Sequence, residues 1–173
     1  MAKASSENIE LYCVRAEFGT FTKYFIDGNY VAIGWLPNHD LSAIKSRDEI
    51  YPLYKKEYPK DISNVVIGQQ VGQIARFLLE MKAGDYVITP AQDTEFIYYG
   101  IMEENAYHYA TLGDGCPYRH RKKVRWHKEP IQRSQFSVPF QNTIRSSLTV
   151  FYISHKKNFF HHHRPTRIDS RSR

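Results

Sequence analysis

Cysteine is scarce in this chain: Cys13 and Cys116 are the two in 173 residues. They are too few and too far apart for a disulfide framework or a closely spaced zinc-ligand pair. Cys13 sits in an apolar strand pattern and is expected as a small core residue. Long apolar runs are also missing. No stretch approaches the roughly 18–20 residues of a membrane span, and the opening MAKASSENIE has no apolar segment of a signal peptide, so a cytoplasmic protein without a membrane partner is expected. A glycine-rich phosphate loop is absent, since GQQVGQ at residues 68–73 lacks the Lys-Ser/Thr step and falls inside a helical pattern. Neither a Gly-x-Ser-x-Gly elbow nor a Cys/His nucleophile pair occurs, and no cofactor is expected.

Metal chemistry has little to work with. A nuclease needs carboxylates gathered around a divalent ion. Asp85, Asp93 and Glu95, with Lys82 nearby, are the closest approach, yet Asp85 follows Gly84, where an acidic residue commonly serves a turn. His161, His162 and His163 are consecutive, so neighbours point in different directions. His108, His120 and His127 have no Cys or acidic partner at ligand spacing, and no metal site is expected.

What the chain does have is aromatic residues and positive charge. With 13 Tyr, 10 Phe and 2 Trp, aromatics reach 14%, which suits a β-rich core or a set of stacking platforms for bases. The formal charge is +6. Arg119, Arg121, Lys122, Lys123, Arg125 and Lys128 crowd one short run, and a second basic group follows position 155. Such blocks commonly mark a surface for a polyanion. The length fits one domain with one core.

IELYCVRAEF, residues 9–18, reads as a buried first strand. FGTFTKYFIDGNYVAIGW follows as a short connection, a turn at Asp27–Gly28–Asn29 and a second strand ending at Trp35. Asp40 or Ser42 could start one short helix, and Ser46 with Glu49 makes a capping box for another. Pro52 and Pro59 should keep these helices short. Ser63 should cap the longest helix, in which Ile67, Val71, Ile74, Leu78 and Met81 form a core-facing stripe that ends at Gly84. From there DYVITPA, EFIYYGIME, YHYAT, KKVRWHKEPI and SLTVFYIS predict an antiparallel series, with Pro90 and Pro130 at strand ends. The sum is an α+β arrangement with a small curved or barrel-like sheet. Residues 1–9 are expected to be disordered, 10–154 to form the domain, and 155–173 to be a basic tail or linker.

The segments YCVRAEFGTFTKYFIDGNYVAIGW, VGQIARFLLEMKAGDYVITPA, YGIME, YRHRKKVRWHKEPIQRSQF and SLTVFYIS, in that order, resemble the N-terminal module of modification-dependent restriction systems. That module is similar to EVE-like domains of the PUA superfamily, relatives of the YTH domains. The resemblance spans about residues 10 to 154 and implies a small bent β-barrel with helices packed around it. It further implies a pocket for a modified base, such as methylcytosine, hydroxymethylcytosine or methyladenine, extruded from DNA. The partners it implies are DNA carrying that base and a fused or separate nuclease or AAA+ motor, which this chain does not show.

Residue by residue, Trp35 matches the tryptophan after the second strand and is either a cage wall or a core residue. Phe18 fits a pocket-lining or insertion position, and Arg15 fits either a phosphate contact or a loop anchor. Thr89, Pro90 and Ala91 match the pocket floor of the related domains. Arg119, Arg121, Lys122, Lys123 and Arg125 are candidates to track the nucleic-acid backbone, although strand alternation must turn some of them away. Arg133, with Ser134, matches an Arg-Ser turn that either contacts the backbone or serves structure, and Trp126 matches a step that is more often packing. Where the family has a tryptophan before the helix's Gly-Gln, this chain has GQQVGQ. The expected function is thus a non-enzymatic DNA-binding module that flips a modified base into an aromatic pocket; the alternatives are a PUA-type RNA reader and a small metal-dependent nuclease.

Overall fold

In the computed structural model, which describes residues 8–60 and 63–162, seven strands form one mixed sheet. β1 (Leu11–Val14), β2 (Tyr30–Ile33), β3 (Tyr86–Pro90), β4 (Phe96–Tyr109), β5 (His120–Trp126), β6 (Ile131–Gln132) and β7 (Val150–Tyr152) appear in chain order. Across the sheet the order is β2-β5-β4-β3-β1-β7, with β6 paired to β4. β1 runs parallel to β3, and the other pairings are antiparallel. The expected barrel is therefore corrected: β2 and β7 are the ends of an open sheet, and no ladder joins them among the described residues. A barrel needs its last strand hydrogen-bonded to its first, whereas here helices cover the faces of a sheet with two free edges.

Local sequence explains most elements. α1 (Thr22–Gly28) forms where a short connection was expected, because Thr22 and Phe25 lie three residues apart and bury together. The Asp27–Gly28–Asn29 turn becomes its end: Asn29 takes a left-handed φ of 56°, and its N–H reaches the carbonyls of Phe25 and Ile26. α2 (Arg47–Glu57) carries the capping box, with the Glu49 carboxylate accepting from the Ser46 N–H at 2.8 Å. Pro52 lies inside that helix instead of ending it, held by the buried Ile50 and Tyr54.

α3 (Asn64–Ala75) starts at Ser63 and buries Ile67, Val71 and Ile74. It stops being regular earlier than expected. Arg76–Glu80 is a π-helical turn, closed by the Met81 N–H on the Arg76 carbonyl, and it rotates the fully buried Phe77 into the core. EFIYYGIME and YHYAT are one long strand, β4, whose pairing with β5 shifts between Met102 and Tyr107. That bulge bends the strand, and the single long element pairs with β3, β5 and β6.

Two apolar clusters result. The larger joins α1, α2 and α3 to one part of the sheet through Phe25, Ile50, Ile74 and Phe77. The smaller packs α4 (Val138–Thr143) and α5 (Lys156–His162) against Leu11, Tyr86 and Ile88 through Phe140 and Phe159. The segment expected as a tail from residue 155 thus begins as a helix whose Phe159 is fully buried, with the Lys156 amine 3.1 Å from the Glu10 carboxylate. Residues 1–7 and 163–173, including His163, lie outside the described residues.

Candidate nucleic-acid interface

Trp35 leaves the end of β2 on a turn that fixes it from several directions. Leu36 has a left-handed φ of 53°, a conformation costing a side-chain-bearing residue about 1–3 kcal/mol unless the surroundings impose it. They do. The Leu36 N–H donates to the Tyr58 hydroxyl at 3.1 Å, its carbonyl lies 2.8 Å from His120 Nε2, and the Tyr109 hydroxyl donates to the Pro37 carbonyl at 2.5 Å. His120 is fully buried, and its other ring nitrogen lies 2.9 Å from the Tyr107 hydroxyl. Burial lowers its pKa from the ordinary histidine value, so near neutral pH the ring favours the uncharged form, which can join the two groups as one donor and one acceptor. Tyr107 and Tyr109 each stack on His120 as a backing for the turn.

The indole is half-buried. It packs on the larger core cluster and, with Gly34, Tyr118 and Thr149, lines a cleft of about 300 Å³. Its two sequence-based readings are therefore met together: one part of the ring is core and the rest is wall. Gly34 and Trp35 follow β2, while Thr149 precedes β7, so the cleft lies where the two free edges of the sheet come near each other. A Cβ on Gly34 would sit 2.5 Å from the Tyr118 ring, which is why only glycine lets that ring close the cleft. Tyr118 is itself held edge-on by Phe21 at 5.1 Å. Burial first, and then the negative charge of Glu17, pushes its phenol up to about 12, so it remains a neutral donor.

The other expected pocket residues are not part of this lining. Phe18 lies on the neighbouring β1–α1 loop, 83% exposed with a φ of 54°, one residue from the Glu17 that faces Tyr118. Arg15 meets the cleft only through its backbone, whose N–H donates to the Thr149 carbonyl at 2.8 Å; its guanidinium turns away to the Ile144 carbonyl. Thr89, Pro90 and Ala91 sit at the β3–β4 hairpin. Thr89 is fully buried, the Pro90 carbonyl accepts from the Thr22 hydroxyl at 2.9 Å, and the Ala91 N–H donates to Phe96.

The basic strand divides. Lys123 and Arg125 are exposed, and Arg119 is half-buried with its guanidinium 5.6 Å over the Tyr109 ring, beside the turn that carries Trp35. Arg121 and Lys122 are corrections to the expected backbone contacts, since both are buried and bonded internally. Arg121 grips Asp114 with two bonds of 2.7 and 3.0 Å and lies 4.3 Å over the Tyr30 ring. That grip holds the Asp114 carboxyl down at about 2. The Lys122 amine donates to the carbonyls of Phe77 and Met81 at 2.9 and 2.7 Å, satisfying acceptors that the π-helical turn leaves open. Trp126 is tied to α1 through its indole N–H on the Phe25 carbonyl, a packing role. Arg133 is partly buried and donates to the Gln141 carbonyl.

Asp85 and Asp93, two of the carboxylates of the nuclease reading, are occupied by backbone N–H groups. Asp85 is buried at the β3 turn, accepting from the N–H groups of Glu10 and Lys82, and Asp93 accepts from the Glu95 N–H. Among the described residues no group of three or more His, Cys, Asp or Glu comes together as metal ligands.

Sequence reasoning missed Tyr118, Thr149 and the braces Tyr58 and His120. The one available signal was the Ile33–His120 register implied by pairing β2 with the basic strand, which puts His120 under the Trp35 turn.

A family model described as "Domain of unknown function (DUF8426)" matches residues 15–153. The chain belongs to the DUF8426 family. No curated protein matches it. Among solved structures this DUF8426 chain is similar to the YTH domain of the Zygosaccharomyces rouxii MRB1 protein, solved in complex with N6-methyladenosine RNA. The two share 11% identity at a TM-score of 0.46, over 90% of this chain and 85% of that one. That likeness is too loose to transfer any residue's role to the DUF8426 chain.

Proposed function

We propose that this chain is a non-catalytic reader of single-stranded nucleic acid, RNA foremost, which takes one unstacked base, methylated or otherwise modified, into the cleft between the free edges of its sheet. The observation that carries the reading is the pair of rings, Trp35 and Tyr118, lining a cleft of about 300 Å³, with Trp35 on a turn pre-set by Tyr58, His120 and Tyr109 and Tyr118 held by Phe21. A ring held before the ligand arrives loses little side-chain entropy on binding, and stacking one base is worth about 1–3 kcal/mol. A methyl group entering the same space adds about 0.8 kcal/mol, so rejection of bulkier groups by the narrow wall must supply much of the selectivity. Arg119, Lys123 and Arg125 provide exposed or half-exposed cations for phosphates.

Single strands suit such a site because their bases are already accessible, whereas a duplex must be unstacked at a cost of a few kcal/mol. A second reading, a modified base flipped from duplex DNA in a restriction system, is favoured by one feature: Phe18 is held out in solvent on a left-handed backbone, in the manner of a wedge. A binding panel at fixed salt separates the two. It compares RNA and DNA, single-stranded and duplex, unmodified or carrying N6-methyladenine, 5-methylcytosine or 5-hydroxymethylcytosine, against the protein and its Trp35→Ala variant. The expected result is a preference for one modified single strand that falls roughly 5- to 150-fold in Trp35→Ala. Indifference to both modification and variant, in a protein that still folds, refutes the reading.

A further inference from the structure

A second cavity, of about 500 Å³, lies away from Trp35 and is lined by Thr94, Glu95, Gln132, Arg133, Ser134, Gln141 and Arg145. Its chemistry is dominated by guanidinium groups. The charges of Arg145 and Arg15 both reach Arg133 and, after burial, act to lower its pKa. Arg15 comes to this place through α4, its side chain donating to the Ile144 carbonyl just before Arg145. None of the three forms an ion pair among the described residues. The Nε groups of Arg15 and Arg133 are buried with no hydrogen-bond partner at all.

Those facts are costly together. Three like charges brought close repel one another, and a buried guanidinium N–H left without an acceptor keeps its full desolvation penalty. Arg121 of the same protein has a bidentate carboxylate. The carboxylate at the second cavity is Glu95, which is exposed and pairs with none of the three. Two guanidinium groups that line a cavity with no carboxylate paired to either of them suit an anion. The hydroxyls of Thr94 and Ser134 and the amide of Gln132 offer neutral donors around the same volume, while the Gln141 amide donates to the Phe136 carbonyl at 2.8 Å. A guanidinium fork bonds two phosphate oxygens at once, and neutral donors on other lining residues suit the remaining oxygens of a tetrahedral oxyanion.

We infer that the cavity between the β3–β4 hairpin and α4 is a phosphate-binding site, in which Arg133 and Arg145 contact the oxyanion and Arg15 supports it from behind. The ligand is a phosphate group, carried either by a polynucleotide backbone or by a small phosphorylated molecule. The site does not depend on the base cleft. Neither Trp35 nor Tyr118 lines it, and a phosphate can bind here whether or not a base stacks there.

The test is thermal unfolding and isothermal titration of the full chain with inorganic phosphate, against chloride at matched ionic strength. Parallel titrations use adenosine 5′-monophosphate, a dinucleotide with one internal phosphodiester, and unphosphorylated adenosine. Phosphate should raise the melting temperature saturably beyond chloride, because a ligand bound only by the folded state stabilises it by mass action. Arg145→Gln, an exposed change with little risk to folding, and Arg133→Gln should each weaken that response roughly tenfold or more, the usual effect of losing charge-assisted bonds. Trp35→Ala should leave it intact, so failure of the base reading is seen separately. Binding of monoesters alone assigns the site to a small phosphorylated molecule, and binding of the diester assigns it to a backbone. A phosphate response equal to that of chloride, or one unchanged in both arginine variants, overturns the proposal.

Discussion

Lys122 should make the protein more stable in mild alkali. The residue is 5% exposed, its amine donates to the carbonyls of Phe77 and Met81, and burial pushes its pKa from the ordinary 10.5 down to about 8. In the unfolded chain the amine holds its proton until about 10.4; in the fold it gives the proton up earlier. Between those values the unfolded state binds more protons, so stability rises with pH. The full difference corresponds to about 3 kcal/mol, of which about 2 kcal/mol should appear between pH 7 and 9.5. Beyond that window the tyrosines oppose it, because Tyr12, Tyr107 and Tyr118 are held near 12 and unfolded tyrosines ionise first. The assay is urea unfolding at pH 7, 8, 9 and 9.5 for the protein and for Lys122→Met. The wild-type curve should climb and the variant curve should be flatter, although the variant strands two carbonyls and loses stability at every pH. In nucleic-acid binding, Lys122→Met should leave the slope of log affinity against log salt unchanged, whereas Lys123→Gln should reduce it by about one. Parallel pH curves for the two proteins would refute the buried-amine account, and a reduced salt slope in Lys122→Met would return Lys122 to the binding surface.

Two further outcomes follow from packing. Gly34→Ala puts a methyl group where the Tyr118 ring stands, so the ring must move out of the cleft wall. Affinity for the preferred base should drop while the far-ultraviolet circular dichroism stays the same; unchanged affinity would mean that Tyr118 is not a wall. Phe159→Ala removes a fully buried ring from the smaller cluster and should cost about 3–5 kcal/mol in denaturant unfolding. A cost near zero would mean that the helix from Lys156 is dispensable to the fold.

Much of the architecture was legible where a local rule decides. The Ser46–Glu49 box, the Ser63 start and the Ile67–Val71–Ile74 stripe are short-range patterns, and each appears in place. Trp35 was legible as a residue at a strand end, but not as a ring braced by Tyr58, Tyr109 and His120, because those contacts span 22 to 84 positions of sequence. The failures have the same origin. Arg121 and Lys122 carry the same charge as Lys123 and Arg125, and only the tertiary structure supplies Asp114, Tyr30 and the open carbonyls that take them inside. Closure of the sheet was likewise beyond local reading, since strand patterns specify which residues alternate and not whether the first edge meets the last.

The sequence by itself determined that the chain has a mixed set of helices and strands, a rich supply of rings and a concentrated positive charge. Period, caps and composition act over a few residues, and so they can be read without a fold. Which charges stay in water, which ring faces a cleft, and which arginines are left without a carboxylate were decided only by tertiary structure. Burial and pairing depend on neighbours brought together from distant parts of the chain, and for Trp35 and Arg133 those neighbours make the difference between core filler and a site.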